Sequence, residues 1–289
     1  MKSEVTFIEL DETVSTNTFL ATYRAAEPSS ITVATAEYQS AGRGQTGNSW
    51  ESEKGKNLLF SILVQPKTLP ATHVFLLSEA IALSIREVIA DALRSASPHL
   101  PPPLQGGLGG GAFSVTVKWP NDIYVDDRKI AGILIENELC GHNVGRSIIG
   151  CGVNINQTEF QFPSLSPQPQ APTPVSLHQL IGHDCDRRAI LNHILEAFRR
   201  RYESLIPHPS PLTAGVSLHA DYLAALYRRT GLHPYRDAQG QFDAEIIDVE
   251  PSGHLILRDM SGTVRRYAFK EVEYLRCVDV PLQTGGWRR

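Results

Sequence analysis

The sequence predicts an α+β protein in which a mixed β-sheet flanked by helices is followed by a smaller β module. Three observations predict this. Strand-like segments are alternating or wholly apolar, two long segments carry apolar residues at helical spacing, and short strands with dense turns begin after residue 230. We therefore expect two domains, residues 1–230 and residues 231–289, the second resembling a small β-barrel.

The strands of the first domain are expected at 5–10, 31–38, 57–65, 113–119, 123–127, 129–137 and 146–155. The segment 57–65, NLLFSILVQ, is almost continuously apolar, which predicts burial on both faces of the sheet. Helices are expected just after residue 17 and at 72–94, 186–206 and 216–228, and the strands of the second domain at 233–236, 243–250, 254–259 and 263–269.

Composition excludes several classes of protein. The 289 residues include 27 Lys and Arg against 31 Asp and Glu, giving a net charge of −4, which disfavours a global nucleic-acid-binding surface. The four cysteines are scattered without a CxxC pair, so neither a zinc ribbon nor a disulfide scaffold is indicated. We find no signal-peptide core and no apolar run of membrane-spanning length, so a cytoplasmic location without membrane association is expected.

The segment 98–111 contains four prolines and five glycines and lacks any apolar period. It predicts an exposed insertion between a helix and a strand. A tolerated surface loop and a partner-binding polyproline segment are both open interpretations, and the first is favoured.

A glycine-rich loop lies at 42–49, GRGQTGNS, and nearly matches the phosphate-binding P-loop pattern. Asn48 stands where that pattern requires a lysine, so a P-loop is disfavoured. The loop is either a simple turn or an anion-binding loop of another type. In the second case backbone N–H groups and the Arg43 guanidinium would contact phosphate or carboxylate.

Three further clusters combine glycines with polar groups. KWPND at 118–122 places a cation, an amide and a carboxylate around a turn, and GCGVNIN at 150–156 alternates glycines with buried positions, as if something flat lies on the strand. In KIAGILIE at 129–136, Lys129 begins an apolar strand, and Gly132 allows a ligand to approach the backbone. Each cluster alone is also compatible with a purely structural role.

Taken in order, these motifs resemble those of biotin–protein ligases. The resemblance rests on Ser15-Thr16-Asn17, then Gln39 with GRG…W at 42–50, then KWPND, KIAGILIE and GCGVNIN. It implies a class II synthetase-like catalytic domain, 1–230, and an SH3-like β-barrel, 231–289. The implied reaction is ATP-dependent activation of biotin to biotinyl-5′-AMP, followed by transfer to a specific lysine of a biotin carboxyl carrier protein. Mg-ATP would be a co-substrate, without any tightly bound prosthetic group.

The resemblance also implies roles for particular residues. Lys129 and Arg43 would be catalytic, Lys129 by contacting both the biotin carboxylate and the α-phosphate. The implied biotin-binding residues are Ser15, Thr16, Asn17, Gln39, Arg43, Gly44, Gln45, Lys129 and Gly132. The implied residues for ATP or the adenylate are Trp50, Lys118, Asn121, Asp122 and Asn154. No protein cage for a metal is expected, and Mg²⁺ would arrive with ATP near Asp122.

The sequence departs from the family pattern in the glycine-rich loop, where Gln45 and Asn48 replace positively charged residues. This departure removes two cations from the loop, and we expect the adenylate to be retained less well than in members with arginine-rich loops. The alternatives are a lipoate or octanoate ligase or transferase on the same fold, and a non-catalytic biotin or nucleotide sensor. Because the Ser-Thr-Asn motif begins at residue 15, no DNA-binding module is expected. We also expect a monomer or weak homodimer.

Overall fold

The computed structural model describes residues 5–24, 31–45, 49–96, 113–160, 172–205 and 211–275. The insertion expected at 98–111 lies outside the described residues. The described chain divides into two compact units, the first ending at Tyr227 and the second beginning at Arg228.

The first unit is built on a seven-stranded mixed sheet. Its strands are β1 (Val5–Thr13), β2 (Ile31–Gln39), β3 (Leu58–Val64), β4 (Val115–Lys118), β5 (Asp122–Val125), β6 (Arg128–Cys140) and β7 (Asn143–Val153). The strand order is β1-β2-β3-β7-β6-β5-β4, with β1 and β2 parallel and all other neighbours antiparallel. This sheet matches the mixed sheet predicted from the strand patterns.

Five α-helices accompany the sheet within the described residues. They are α1 (Thr16–Thr22), α2 (Phe75–Ala96), α3 (Leu177–Ile181), α4 (Arg187–Leu205) and α5 (Pro211–Ala224). Helix α2 packs against α4 and α5 and against β4 to β6. None of these helices has both the length and the apolar composition required to cross a bilayer.

The central strand β3 is buried along its whole length, as its apolar sequence predicts. Alternate side chains point to opposite faces. Leu63 packs on one face with Leu20 of α1, Ala34 of β2 and Ile148 of β7. This cluster attaches α1 to the sheet, so the polar residues at the start of α1 are held over β3 and β7.

The C-terminal end of α1 is fixed by Arg146 of β7. Its guanidinium donates hydrogen bonds to the main-chain carbonyls of Leu20, Ala21 and Tyr23. These are carbonyls of the last helical turn and of the residue that ends it, which a helix leaves without intrahelical donors. The predicted hairpin between β5 and β6 is also present, and its turn places Asp126 at a φ of 54°, the left-handed conformation that Asp tolerates.

The second unit is a five-stranded antiparallel sheet. Its strands are β8 (His233–Asp237), β9 (Gly240–Val249), β10 (Leu255–Asp259), β11 (Val264–Tyr267) and β12 (Glu273–Tyr274), in the order β11-β10-β9-β8-β12. Tyr235, Ile246 and Leu257 are fully buried and form part of its core. The sequence predicted four of these strands. It missed β12, whose two residues are too few to give an alternating pattern, and the single-turn helix α3.

Candidate functional site

One face of the sheet carries glycines at adjacent positions on β6 and β7. Gly132 lies directly opposite Gly152, and the next pair on that face is Leu134 and Gly150. Because alternate residues share a face, Gly132, Gly150 and Gly152 form a floor of glycines beneath the start of α1, with Leu134 beside them. The sequence predicted that something flat lies on this strand.

A wall of hydrogen-bonded polar side chains borders the floor. Thr16 and Asn17 in the first turn of α1 are buried, and the hydroxyl of Ser61 on β3 lies 2.6 Å from both Thr16 Oγ1 and Asn17 Oδ1. Gln39, at the end of β2, accepts hydrogen bonds at Oε1 from the Thr16 amide (2.7 Å) and the Thr16 hydroxyl (3.1 Å). The structure therefore brings together Thr16, Asn17 and Gln39, as the resemblance implies.

Asn17 is held against the floor by contacts on both sides of its amide. Nδ2 donates to Glu136 Oε2 at 2.7 Å and to the Leu134 carbonyl at 3.3 Å. A Cβ at Gly150 would lie 2.2 Å from Asn17 Oδ1, so only glycine permits this approach. Gly150 is thus required by the position of the Asn17 side chain.

Arg43 of the glycine-rich loop contacts the same carboxylate. Its Nη2 lies 2.7 Å from Glu136 Oε2, and both side chains are close to half exposed. The loop residue Arg43 also forms an isolated β-bridge with Ser49. Arg43 is therefore positioned at the edge of the wall that holds Asn17.

Lys129 lies at the other end of the floor. Its ammonium is 2.7 Å from Asp122 Oδ1, and both side chains are less than one quarter exposed. A Cβ at Gly132 would come within 3.2 Å of Lys129 Nζ, so the ammonium group lies over this glycine. The β5–β6 pairing explains the contact, because Asp122 is opposite Gly132 in the register.

Trp50 covers the paired glycines. A Cβ at Gly152 would lie 2.3 Å from Trp50 Cε2, and Lys129 Nζ is 5.7 Å from the centroid of the Trp50 ring. The Trp50 amide donates to the Gly42 carbonyl at 2.9 Å, which fixes the end of the glycine-rich loop. In the part of the chain that the structure describes, the buried indole Nε1 has no acceptor.

The remaining predicted residues have more varied positions. Ser15, the residue that precedes α1, is buried. The side-chain amide of Asn121 donates to the Ile133 carbonyl on β6. Asn154 is buried, and its Nδ2 donates to the Val175 carbonyl. Lys118 is directed to the hydroxyl of Tyr124 at 3.1 Å.

Two positions belong to the glycine-rich loop itself. Gly44 follows Arg43, and Gln45 has its Oε1 buried with no donor among the described residues. Asn48, the second departure from the family pattern, lies outside the described residues.

Sequence reasoning missed Ser61 and Glu136. Ser61 is a polar residue inside an otherwise apolar buried strand, and that interruption is a signal for a structured hydrogen bond. Glu136 ends the KIAGILIE motif, but its partners are 93 and 119 residues away in the chain, so no local pattern marks it.

Within the described residues, no three His, Cys, Asp or Glu side chains are grouped so that they could hold a metal ion. Cys151 lies between the two glycines of β7 but faces the other side of the sheet. Full burial raises the pKa of its thiol, so it remains protonated and is not a nucleophile. The candidate site therefore offers one ammonium, one guanidinium, two carboxylates and a wall of amides and hydroxyls.

The chain is similar to several known proteins. Residues 10–154, half of the chain, match the model of the biotin/lipoate A/B protein ligase family. The bifunctional ligase/repressor BirA of Bacillus spizizenii is 28% identical over 82% of this chain, which spans 64% of that protein's length. The biotin–[acetyl-CoA-carboxylase] ligase of Paracoccus denitrificans is 28% identical over 78% of this chain and 84% of its own.

The fold is shared with a solved structure. The biotin protein ligase from Aquifex aeolicus, in complex with biotin and ATP, superposes with a TM-score of 0.67 at 22% identity, covering 94% of this chain and 99% of that one. This similarity confirms the predicted fold class, a mixed sheet with flanking helices followed by a smaller antiparallel sheet.

Proposed function

The chain belongs to the biotin/lipoate A/B protein ligase family, and from this membership we propose that it is a biotin–protein ligase. In the proposed reaction, biotin and Mg-ATP give biotinyl-5′-AMP and pyrophosphate, and the biotinyl group then passes to a specific lysine of a biotin carboxyl carrier protein. The observation that carries the proposal is the Lys129 ammonium held over Gly132, on the same glycine-floored face as the Thr16–Asn17 wall.

The first step joins two anions and therefore needs positive charge where they meet. A carboxylate oxygen of biotin attacks the α-phosphorus of ATP, a P–O bond to the β-phosphate breaks, and pyrophosphate leaves. The Lys129 ammonium is suited to neutralise the charge that develops between carboxylate and phosphate. Asp122, 2.7 Å from that ammonium, orients it over the floor.

The end of the floor beneath α1 suits the biotin ring. The ureido group offers two N–H donors and one carbonyl acceptor, which hydroxyl and amide side chains can complement. Such groups are supplied by the buried residues Ser15, Thr16 and Asn17, and by Gln39, which is hydrogen-bonded to Thr16. Gly132, without a side chain, allows the Lys129 ammonium and the Trp50 ring to lie close to β6.

In the second step the ε-amine of the carrier lysine attacks the acyl carbon of the mixed anhydride. An amide bond forms, AMP leaves, and the amine loses a proton. An acyl-adenylate is hydrolysed when water reaches it, so the site must exclude water during both steps. We assign this task to Trp50 and to the loop residues Arg43, Gly44 and Gln45.

Further assignments complete the proposal. Lys118, Asn121, Asp122 and Asn154 contribute to ATP or adenylate binding, and Mg²⁺ enters with ATP near Asp122. Residues 1–230 act as the catalytic domain and residues 231–289 as the SH3-like module. The partners are biotin, ATP and the carrier protein, without DNA or membrane. We propose a cytoplasmic monomer or weak homodimer.

The test is ATP–pyrophosphate exchange measured with biotin and, separately, with lipoate or octanoate. We expect exchange that depends on biotin, followed by transfer of labelled biotin to a purified carrier domain. Exchange that depends on lipoate or octanoate instead would replace the proposal with the related acyl ligase. Biotin binding without exchange would identify a sensor.

A further inference from the structure

Glu136 occupies an unusual position in the candidate site. It lies on β6 on the same face as Gly132 and Leu134, and one of its carboxylate oxygens, Oε2, accepts two hydrogen bonds. The donors are Asn17 Nδ2 and Arg43 Nη2, each at 2.7 Å. A single atom thus joins the polar wall on α1 to the glycine-rich loop.

These contacts determine which way the Asn17 amide points. The Glu136 carboxylate and the Leu134 carbonyl can only accept hydrogen bonds, so the NH₂ group of Asn17 must face them. The amide oxygen then faces the Ser61 hydroxyl at 2.6 Å. Both N–H groups of Asn17 are therefore engaged within the protein.

The consequence concerns what Asn17 can offer a ligand. An amide oxygen has two lone pairs, and Ser61 engages one of them, so a ligand meets Asn17 as an acceptor only. Gln39 is arranged in the opposite sense, because the main-chain N–H of Thr16 donates to its Oε1 at 2.7 Å and leaves Nε2 as the group that can contact a ligand. The wall thus presents one defined acceptor and one defined donor.

We infer that Glu136 is a positioning residue that holds Asn17 as a hydrogen-bond acceptor and so selects a ligand ring bearing N–H donors. This inference rests on the proposed function and deepens it, since a ureido ring has two N–H groups and a dithiolane ring has none. Leaving a buried acceptor unpaired costs binding free energy, so a ring without donors is disfavoured.

Arg43 completes the arrangement by holding the carboxylate in place. The Arg43–Glu136 pair is close to half exposed, and ion pairs of this kind contribute little to stability. Its consequence is geometric, because it keeps Oε2 within reach of Asn17. Glu136 touches neither reacting group in the proposed reaction, and it acts through Asn17.

The test is the near-isosteric substitution Glu136→Gln. An amide at this position can donate as well as accept, so Asn17 is free to present either its oxygen or its nitrogen to the ligand. We expect the KM for biotin in ATP–pyrophosphate exchange, and the Kd from calorimetry with biotin alone, to rise about fivefold. The kcat and the KM for ATP should stay within about twofold of wild type.

The matched control is Glu138→Gln on the same strand and face, whose carboxylate is 66% exposed and pairs with Arg146 at 3.1 Å. It should leave the KM for biotin unchanged. In an Asn17→Ala background, Glu136→Gln should cause no further rise in the KM for biotin, because Asn17 is the group through which Glu136 acts.

These measurements distinguish an error in the role of Glu136 from an error in the proposed function. With an active wild type, three results would show that the role of Glu136 is wrong while the proposed function stands. Glu136→Gln could match Glu138→Gln, it could raise the KM values for biotin and ATP equally, or it could add its full effect in the Asn17→Ala background. If wild type gives no biotin-dependent exchange, the proposed function is wrong and the inference falls with it. The KM pattern expected above supports both.

Discussion

The indole of Trp50 lies so close to Gly152 that a Cβ there would come within 2.3 Å of Trp50 Cε2 and 2.7 Å of Nε1. At Gly132, on the neighbouring strand, the corresponding approach to Trp50 Cζ3 is 3.0 Å. The ring therefore lies against both strands, and more tightly against β7. This contact explains why two glycines face each other in a sheet where β-branched residues are otherwise favoured.

We predict that Gly152→Ala displaces the Trp50 ring and raises the KM for biotin about tenfold or more, because an overpacked contact forces neighbouring groups to move. Tryptophan emission should shift to longer wavelength as the indole becomes exposed, and Trp50→Phe identifies its part of the spectrum. Gly132→Ala is the graded comparison and should have a smaller effect on both measurements. Equal effects of the two substitutions would contradict this contact geometry.

Lys129→Ala should reduce biotin-dependent ATP–pyrophosphate exchange about 10²-fold or more. The substitution removes the cation placed where carboxylate and phosphate would meet, and this charge matters most in the transition state. The melting temperature should change little, since an ammonium adds little to packing. The control Lys54→Ala removes a surface lysine paired with Asp11 and should leave exchange unchanged. Normal exchange in Lys129→Ala would remove the central role assigned to this residue.

Ser61→Ala should raise the KM for biotin about fivefold, because it removes the hydroxyl that contacts Thr16 and Asn17. Its stability cost should be about 1–2 kcal/mol, as for a buried hydrogen-bonding group. Ser84→Ala is the matched control, since Ser84 is equally buried but donates to the Ala80 carbonyl within α2. Denaturant titration should give similar losses of stability, and only Ser61→Ala should alter the KM.

The second unit is predicted to lose stability in strongly alkaline solution through Tyr267. Burial, together with the hydrogen bond that its hydroxyl donates to Asp237 at 2.7 Å, raises the pKa of Tyr267 to about 12. An unfolded tyrosine ionises near pH 10, so between about pH 10 and 12 the folded state keeps a proton that the unfolded state loses. The contribution is complete below pH 10 and falls as the pH rises.

Thermal unfolding measured from pH 9 to 12 tests this prediction. The melting temperature of wild type should fall more steeply across this range than that of Tyr267→Phe, which has no proton to lose. Parallel curves for the two proteins would assign the alkaline loss to other groups.

The sequence predicted the fold well where local patterns are strong. The apolar run of β3, the alternation of β7 and the helical spacing of α2 each identified an element, because burial imposes a period on the residues. Helix α5 is less regular in sequence, and it begins at Pro211, five residues before its predicted start. The two-residue strand β12 is defined by its pairing with β8 and not by its own residues.

The candidate site was less accessible to sequence reasoning. Motifs identified Lys129, Asn17 and Gln39, which lie in recognisable segments. They could not predict that Glu136 joins Asn17 to Arg43, because this contact depends on strand register across more than 90 residues. Nor could they predict that Trp50 lies over Gly152, about 100 residues later in the chain.

The short ion pair between Lys129 and Asp122 has a consequence for discrimination among small solutes. A stray sulfate or inorganic phosphate ion that approaches the ammonium has to compete with an internal carboxylate already 2.7 Å away, so single contacts of this kind gain little. A ligand that also reaches the polar wall on α1 makes additional contacts, which offset that competition. The pair thus favours ligands that contact both Lys129 and the polar wall over small anions that contact Lys129 alone.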